Sequence, residues 1–314
     1  MDALKIIFVV ASTVILFLFS LQGFSNEIKT AGADKLQVWL SRMTRNRWSG
    51  FLLGLVFTGF IQSSSAVSGM AVALVDAGVL SLRSSLAVLL GANVGTTLTA
   101  WMVTFKITGI GPIFIVIGYL TSLLPKYKII GKSTFYLGFI FFSLDLISQA
   151  LKPISEDPEL VLFLQSTANV PMAILVGMVV TALVQSSSVT TGIVVLMVQQ
   201  KILDEEVAIA IAIGANIGTT STALIASIRT ERQAKLTAIS NFIFNLTGVI
   251  LILPFFYPFV RLAISLSEYP SYSVAYAHLI LNLLNALLFL IFLKPFETLL
   301  LKLQPRKPRS AENA

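Results

Sequence analysis

The chain of 314 residues is 56% hydrophobic and only 12% charged, which is more apolar than a water-soluble protein of this length. Its net charge of +7 comes from basic residues in short loops beside apolar runs, a membrane-protein pattern that calls for no nucleic-acid partner. The chain has no cysteine and one histidine, which excludes disulfides and thiol catalysis and argues against a transition-metal site.

The first apolar run, 3–24, is long enough to cross a bilayer. It lacks a small-residue cleavage pattern, so we predict a retained transmembrane helix rather than a signal peptide. The stretch 27–47 that follows is basic and amphipathic, which predicts a helix lying along the cytoplasmic membrane surface.

Two short apolar arms come next, 50–61 and 66–80, on either side of the sequence QSSS at 62–65. The first arm would extend only about 18 Å as a helix, which is too short to cross the membrane alone. The arms therefore form either a re-entrant hairpin with QSSS at its tip or one continuous span with a polar belt. The next span, 84–105, contains GANVGTT at 91–97, and its glycines predict a break in the helix.

The same order of features recurs 123 residues later, which is the strongest signal in the sequence. Residues 54–100 and 177–223 align without a gap and share 20 identities in 47 positions. Chance similarity of apolar segments would not keep the Gln, Asn, Ser and Thr positions in register. The second copy consists of the arms 171–184 and 189–201 around QSSS at 185–188, and the span 204–228 with GANIGTT at 214–220.

The remaining predicted spans are 107–124, 133–150, 236–256 and 272–294. In the hairpin interpretation three spans separate the two hairpins, so the hairpins enter from opposite membrane faces. That topology places 17 of the 22 basic residues on one face, whereas continuous spans would place 15 there. The positive-inside rule favours the hairpins, with an external N-terminus and a cytoplasmic C-terminus in the cell inner membrane.

The sequence therefore predicts an all-α polytopic membrane protein with two inverted-topology repeats and about seven full spans. Each repeat contains a re-entrant helical hairpin with a QSSS tip and a broken transmembrane helix. We expect a single transport domain, 1–314, with a first half 3–150 (repeat core 50–105), a second half 151–294 (repeat core 171–228) and a cytoplasmic tail 295–314. Within that tail, the polar stretch 303–314 is expected to be disordered.

Paired broken helices in inverted repeats are typical of secondary transporters that bind their substrate near the membrane midplane. Serine hydroxyls and free N–H groups at helix starts suit an anion, while carbonyl, Ser and Thr oxygens suit Na⁺. No Lys or Arg lies in the motifs, so co-bound cations would supply the positive charge. Isolated serines in membrane helices often serve packing only, but two copies in register favour a binding site. We expect no enzyme activity, because no base accompanies the serines in sequence.

The motifs TGFIQSSS, TALVQSSS, GANVGTT and GANIGTT make the chain resemble the type II sodium–phosphate cotransporter family over about residues 48–250. The resemblance implies hairpin tips that meet at the membrane centre and phosphate uptake driven by Na⁺, with no other cofactor. It implies a phosphate site formed by Gln62, Ser63, Ser64, Ser65, Gln185, Ser186, Ser187 and Ser188. Together with the oxygen-rich ends of the arms, it implies sodium ligands among Thr58, Ser65, Asn93, Thr96, Thr97, Thr181, Ser188, Asn216, Thr219 and Thr220.

Three further polar residues, Asn241, Asn245 and Asp145, are candidates for supporting roles beside the site. Asn241 lies where many family members carry a histidine a few residues before a Phe-Asn pair, here Phe244 and Asn245. Asp145 is the one acid well inside a predicted span, so it is either a cation or proton site or an interfacial residue. His278 lies on one face of the last span and is expected to make packing hydrogen bonds.

The expected partners are inorganic phosphate, sodium ions and the lipid bilayer. The sequence is compatible with a homo-oligomer. Three alternatives stay open: transport of another oxyanion or polar solute, phosphate export, and a membrane scaffold without transport activity.

Overall fold

The computed structural model describes residues 3–43, 46–105, 109–167 and 169–303, and over these residues the secondary structure is helical without strands. Six helical segments are long and apolar enough to cross a membrane, which confirms an all-α polytopic membrane protein. These segments are Leu4–Ala31, Leu82–Thr104, Pro125–Ser155, Glu205–Ala226, Arg232–Ser265 and Pro270–Ile291.

Sixteen α-helices make up the described chain. The first half contains α1 (Ala3–Met43), α2 (Arg47–Ile61), α3 (Ser64–Asp76), α4 (Leu82–Gly95), α5 (Leu98–Thr104), α6 (Ile110–Ser122) and α7 (Lys128–Ser155). The second half contains α8 (Pro158–Thr167), α9 (Val170–Val184), α10 (Ser187–Gln199), α11 (Glu205–Thr219), α12 (Ser221–Ala226), α13 (Arg232–Ile252), α14 (Phe256–Ser265), α15 (Pro270–Ile291) and α16 (Leu293–Leu303).

The chain reverses at both QSSS motifs, so the hairpin prediction is confirmed and the continuous-span alternative is wrong. Helix α2 ends at Gln62, which adopts a left-handed conformation with φ 57° and donates its N–H to the Thr58 carbonyl. Gln185 ends α9 in the same conformation, also with φ 57°. The left-handed glutamine stops each helix and turns the chain, and the following serine starts the next helix.

Both spans that carry the GAN motifs are interrupted, as predicted. Between α4 and α5 the Thr97 N–H bonds the Val94 carbonyl, three residues back, where an α-helix would bond the fourth. At the corresponding break the Thr220 N–H bonds the Ile217 carbonyl. The duplicated sequence therefore produces the same local interruption twice.

Glycines allow each hairpin arm to pack directly against the backbone of its broken helix. A β-carbon at Gly54 on α2 would lie 2.0 Å from the Val88 carbonyl oxygen of α4. In the second copy a β-carbon at Gly177 on α9 would lie 2.0 Å from the Ile211 carbonyl oxygen of α11. Adding 123 to both residue numbers of the first contact gives the second contact. The two copies therefore share this packing as well as their sequence.

The two hairpins open towards opposite ends of the helix bundle. We use "first end" for the end of the bundle at which α4 begins. We use "second end" for the opposite end, at which α5 ends. At the first end, Asp76, the last residue of α3, accepts a hydrogen bond from the Glu231 N–H at the start of α13, at 2.6 Å. At the second end, the finish of α10 lines a groove shared with Thr104 of α5 and Tyr269 before α15. This arrangement is the one expected of inverted repeats.

Two expectations about the chain need correction. Helix α6 has 13 residues, about 20 Å, so the predicted span 107–124 is too short to count among the six long segments. Helix α1 continues without a break to Met43, so no separate surface helix begins at 27, and the side chains of 32–45 lie outside the described residues.

The cytoplasmic tail predicted from 295 begins within a further helix that was not predicted from the sequence. Helix α16 runs to Leu303 and packs against α4, with Leu300 only 2% exposed and with Glu297 accepting from Arg83 at 2.6 Å. The amphipathic sequence of 293–303 forms this helix because its apolar side chains cover the first end of the bundle. The rest of the predicted tail, 304–314, lies outside the described residues.

Candidate functional site

A cavity of about 420 Å³ lies between the two hairpin tips and helix α1, and we call it the tip cavity. Its volume is in the range of small-molecule binding sites. All eight motif residues predicted to bind phosphate line this cavity. The lining consists of Gln62, Ser63, Ser64, Ser65, Gln185, Ser186, Ser187 and Ser188 from the tips, with Leu18, Leu21, Gln22, Ser25, Asn26, Lys29, Leu183, Val184 and Thr222.

Two helix N-termini face the tip cavity from opposite ends of the bundle. Ser63 caps α3, and its Oγ accepts from the Ala66 N–H at 3.2 Å. Ser186 caps α10 in the same way, accepting from the Val189 N–H at 3.4 Å. The first N–H groups of each helix have no acceptor within the helix, and the helix dipoles place partial positive charge there. The cavity is therefore suited to an oxyanion.

Hydrogen bonds connect the two tips across the repeat boundary. The Ser65 hydroxyl of the first tip donates to the Gln185 carbonyl of the second at 3.3 Å. The hydroxyl of Thr99, on α5, donates to Gln62 Oε1 at 2.6 Å and lies 3.1 Å from Ser188 Oγ. Motif residues from both halves thus belong to one network.

Sequence reasoning did not select Thr99, although the signal was present. Thr99 aligns with Thr222 as an identity within the repeat, and Thr222 lines the tip cavity. Both threonines follow a GAN motif by a few residues, just beyond the break in the helix. A search for every polar identity between the two copies would have found them.

Two buried amides of the predicted sodium set bond to the last long spans. Asn93 donates to Asn241 Oδ1 on α13 at 3.2 Å, and Asn245 donates to the Asn241 carbonyl at 2.8 Å. In the second copy Asn216 Oδ1 lies 2.9 Å from His278 Nε2 on α15. These contacts hold each broken helix in place, and they bring Asn241, Asn245 and His278 close to the motifs. None of these amides lines the tip cavity.

The threonines of the predicted sodium set fall into two groups. Hydroxyls of the first group already donate to protein oxygens: Thr97 to Val94 at 2.8 Å, Thr220 to Ile217 at 2.7 Å and Thr181 to Thr190 at 2.8 Å. Thr96 lies 3.4 Å from Ser188 Oγ. The second group has no hydrogen-bond partner among the described residues.

That second group consists of Thr58 and Thr219, whose hydroxyls are buried. Thr58 lies in the last turn of α2, and its carbonyl accepts a hydrogen bond from the Gln62 N–H. The Thr58 hydroxyl therefore lies one turn before the first tip. Buried polar groups without a partner are rare, and hydroxyl and carbonyl oxygens are the ligands of hard cations. These two threonines are the members of the set best suited to hold Na⁺.

Asp145 is not brought to the tip cavity. Its carboxylate accepts a hydrogen bond from the Gly109 N–H at 3.2 Å, just before α6. Gly109 has φ 79°, and the carboxylate satisfies a donor at the start of that helix. Asp145 therefore has a structural contact in this state, away from the QSSS residues.

A basic residue does line the cavity, although none lies in the motifs. Lys29, on α1, is half-buried and is the one charged residue in the cavity lining. Gln22, Ser25, Asn26 and Lys29 follow helical spacing and form a polar stripe on α1. The i, i+3, i+4, i+7 pattern was visible in the sequence, but nothing in the repeat motifs linked it to the site.

Comparison with known proteins gives a family and several relatives. The sequence profile described as Na+/Pi-cotransporter matches residues 16–149 and again 145–257. The chain is 32% identical to "Uncharacterized protein YqeW" of Bacillus subtilis over 84% of this chain and 87% of that protein. It is 30% identical to "Putative inorganic phosphate export protein YjbB" of Salmonella typhimurium over 78% of this chain and 46% of that protein.

The human "Sodium-dependent phosphate transport protein 2B" is 36% identical over 42% of this chain and 21% of that protein. The chain thus spans less than half the length of these relatives with phosphate in their names. No solved structure matches the chain.

Proposed function

Because this chain belongs to the Na+/Pi-cotransporter family, we propose that it carries inorganic phosphate across the cell inner membrane by alternating access, coupled to Na⁺. One observation carries the proposal: two equivalent hairpin tips converge on a single cavity from opposite ends of the bundle. Such a site can be exposed to either side of a membrane by moving one hairpin at a time.

The chemistry of the tip cavity supports phosphate as the substrate. Serine hydroxyls, glutamine amides and helix N-terminal N–H groups donate to an oxyanion without the tight hold of an arginine pair. Phosphate carries between one and two negative charges near pH 7, and the membrane potential opposes its entry by about 2.3 kcal/mol per charge per 100 mV. Binding more than one Na⁺ with each phosphate would remove this penalty.

We place the first end of the bundle in the cytoplasm. The topology predicted from the sequence assigns 17 of the 22 basic residues to the face that carries Arg83, and Arg83 lies at the start of α4, at the first end. The C-terminus is then cytoplasmic and the N-terminus is external. The two halves act together as one transport domain that spans the chain.

Uptake is the direction that we propose, and export is the second candidate. Export is favoured by the name of the YjbB relatives, which match 70–78% of this chain. A cavity built from two equivalent tips has no polarity of its own, so the gradients of Na⁺ and phosphate would set the direction.

The test is transport of radiolabelled phosphate into proteoliposomes with and without an inward Na⁺ gradient. We expect Na⁺-dependent uptake that is abolished in Gln62→Ala and Gln185→Ala and kept in Gln165→Ala, a glutamine on α8 outside the cavity. Vesicles preloaded with phosphate test efflux by reversing the gradient. Uptake that ignores both Na⁺ and the tip substitutions contradicts the proposal, and complete absence of transport favours the membrane scaffold.

A further inference from the structure

The repeat extends beyond the hairpins to helices α1 and α7. With the same shift of 123 residues, 3–31 aligns with 126–154 without a gap and shares eight identities in 29 positions. Polar and charged residues take part in this agreement. Phe19-Ser20-Leu21 aligns with Phe142-Ser143-Leu144, Ser25 with Ser148, and Lys29 with Lys152.

The aligned helices are also equivalent in the structure. Ser20 and Ser143 are both fully buried, and each donates its hydroxyl hydrogen to a carbonyl one turn earlier, at 2.6 Å and 2.9 Å. The two helices pack antiparallel, since Phe19 meets Tyr136 whereas the later residue Glu27 binds the earlier residue Lys132. Antiparallel packing is what two copies related by an in-plane two-fold axis require.

The environments of the two helices differ in one respect. On α1, the stripe from Gln22 to Lys29 lines the tip cavity, and the buried Ser25 Oγ there has no hydrogen-bond partner among the described residues. On α7, the aligned Ser148 is bonded instead. Gln200, just after α10, donates to the Ser148 carbonyl at 2.7 Å and lies 3.0 Å from its hydroxyl. Ser25 on α1 thus lines the cavity without a partner among the described residues, while the aligned Ser148 on α7 is bonded to the residue that follows the second hairpin.

Lys29 lies on the first-end side of the tips. Phe17 of α1 packs beside Gly192, which is five residues into α10 from its start and so on the second-end side of the tips. Lys29 is 12 residues further along α1, about 18 Å towards the first end. Lys152 is the residue of α7 that aligns with Lys29. Because α7 runs antiparallel to α1, Lys152 lies on the second-end side of the tips. It is exposed there and lies 3.7 Å from Glu156.

We propose that Lys29 and Lys152 are equivalent anion-attracting residues of two vestibules, one at each end of the transport path. The first vestibule is the side of the tip cavity lined by Gln22, Ser25, Asn26 and Lys29 of α1. In the proposal, α7 lines the second vestibule when the cavity opens at the second end. Each ammonium group draws phosphate towards the tips from its own side, and Lys29 is the one charged residue among those that line the tip cavity. The inference rests on the proposed function, because it assigns these residues to the path of the same substrate.

Because the chain has no cysteine, Lys29→Cys and Lys152→Cys each carry a unique thiol. In proteoliposomes of known orientation, we expect a membrane-impermeant thiol reagent to modify Lys29→Cys from the first-end side and Lys152→Cys from the second-end side. Inorganic phosphate should slow both reactions. The exposed positions Lys126→Cys and Lys5→Cys mark the first and second ends and should be insensitive to phosphate.

A charge-restoration assay distinguishes attraction from packing. We expect each cysteine variant to raise the phosphate KM about tenfold, the lower end of electrostatic steering effects. Adding an aminoethyl group to the thiol restores a positive charge and should restore the KM, whereas adding a neutral methylthio group should not. Lys29→Arg and Lys152→Arg should keep the wild-type KM, and thus report on charge if a cysteine variant fails to fold.

The inference is overturned if both thiols react from the same side, if phosphate protects neither, or if charged and neutral reagents restore transport equally. These outcomes all presuppose a wild-type protein that transports phosphate. Loss of wild-type phosphate transport contradicts the proposed function instead, so the two failures are distinguishable.

Discussion

Thr99 donates its hydroxyl hydrogen to Gln62 Oε1 at 2.6 Å, and the same hydroxyl lies 3.1 Å from Ser188. A threonine on the broken helix of one repeat therefore holds residues of both hairpin tips. Both side chains are buried, so loss of the bond would leave Gln62 Oε1, the side-chain oxygen, without this partner.

Thr99→Val should weaken phosphate binding about tenfold while the protein still folds, because an unpaired buried polar group costs about 1–3 kcal/mol. The control is Thr104→Val, which removes a hydroxyl that bonds only the Trp101 carbonyl of its own helix. Phosphate-dependent thermal stabilisation of the purified protein measures the difference. Equal affinities in the two variants would show that the bond to Gln62 is dispensable.

Thr58→Val should raise the Na⁺ concentration that gives half-maximal uptake several-fold, whereas Thr97→Val should leave it close to wild type. The Thr58 hydroxyl is buried and has no partner among the described residues, while the Thr97 hydroxyl already donates to the Val94 carbonyl. The measurement is uptake at fixed phosphate over a Na⁺ titration. A larger effect at Thr97 would assign the ion to the break in the span rather than to the end of α2.

Gly91→Ala should destabilise the fold, because its β-carbon would lie 1.9 Å from the Phe51 carbonyl oxygen, and overpacking costs about 1–3 kcal/mol. Gly69→Ala is the matched control, since no atom lies within 4 Å of its added β-carbon. In the interior of α3, alanine should be neutral or stabilising by up to about 1 kcal/mol. Thermal unfolding in detergent compares the two, and a neutral Gly91→Ala would mean that α2 can move away from α4 at little cost.

Leu300→Ala should lower stability by about 2–4 kcal/mol, whereas Leu299→Ala should change it little. Leu300 is 2% exposed against the bundle, and Leu299 is 52% exposed on the other side of α16. The comparison is the unfolding temperature of the two variants in the same detergent. Matching values would show that α16 contributes nothing to the stability of the bundle.

The local features of the fold followed from the sequence because local chemistry fixes them. Each arm is too short to cross the membrane alone, and the balance of basic residues favoured hairpins over one continuous span with a polar belt. The meeting of the two tips was expected from the family resemblance, together with the presence of two copies of the motif in register.

Contacts between distant elements were less accessible. Nothing within the α1 sequence indicates that Lys29 faces the QSSS tips, because that depends on how α1 packs against α2 and α7. Helix α16 was missed because its stability comes from apolar contacts with α4 rather than from its own length. For Asp145 the sequence left two interpretations open, a cation or proton site and an interfacial residue, and the structure adds a contact with the Gly109 N–H.

The left-handed backbone at Gln62 and Gln185 has a consequence for how these proteins could be redesigned. A residue with a side chain is disfavoured there by roughly 1–2 kcal/mol relative to glycine. A selection for thermal stability alone would therefore be expected to replace both glutamines with glycine, and the same step would remove both tip amides. Stabilised variants obtained without a transport requirement should be sequenced first at these two positions.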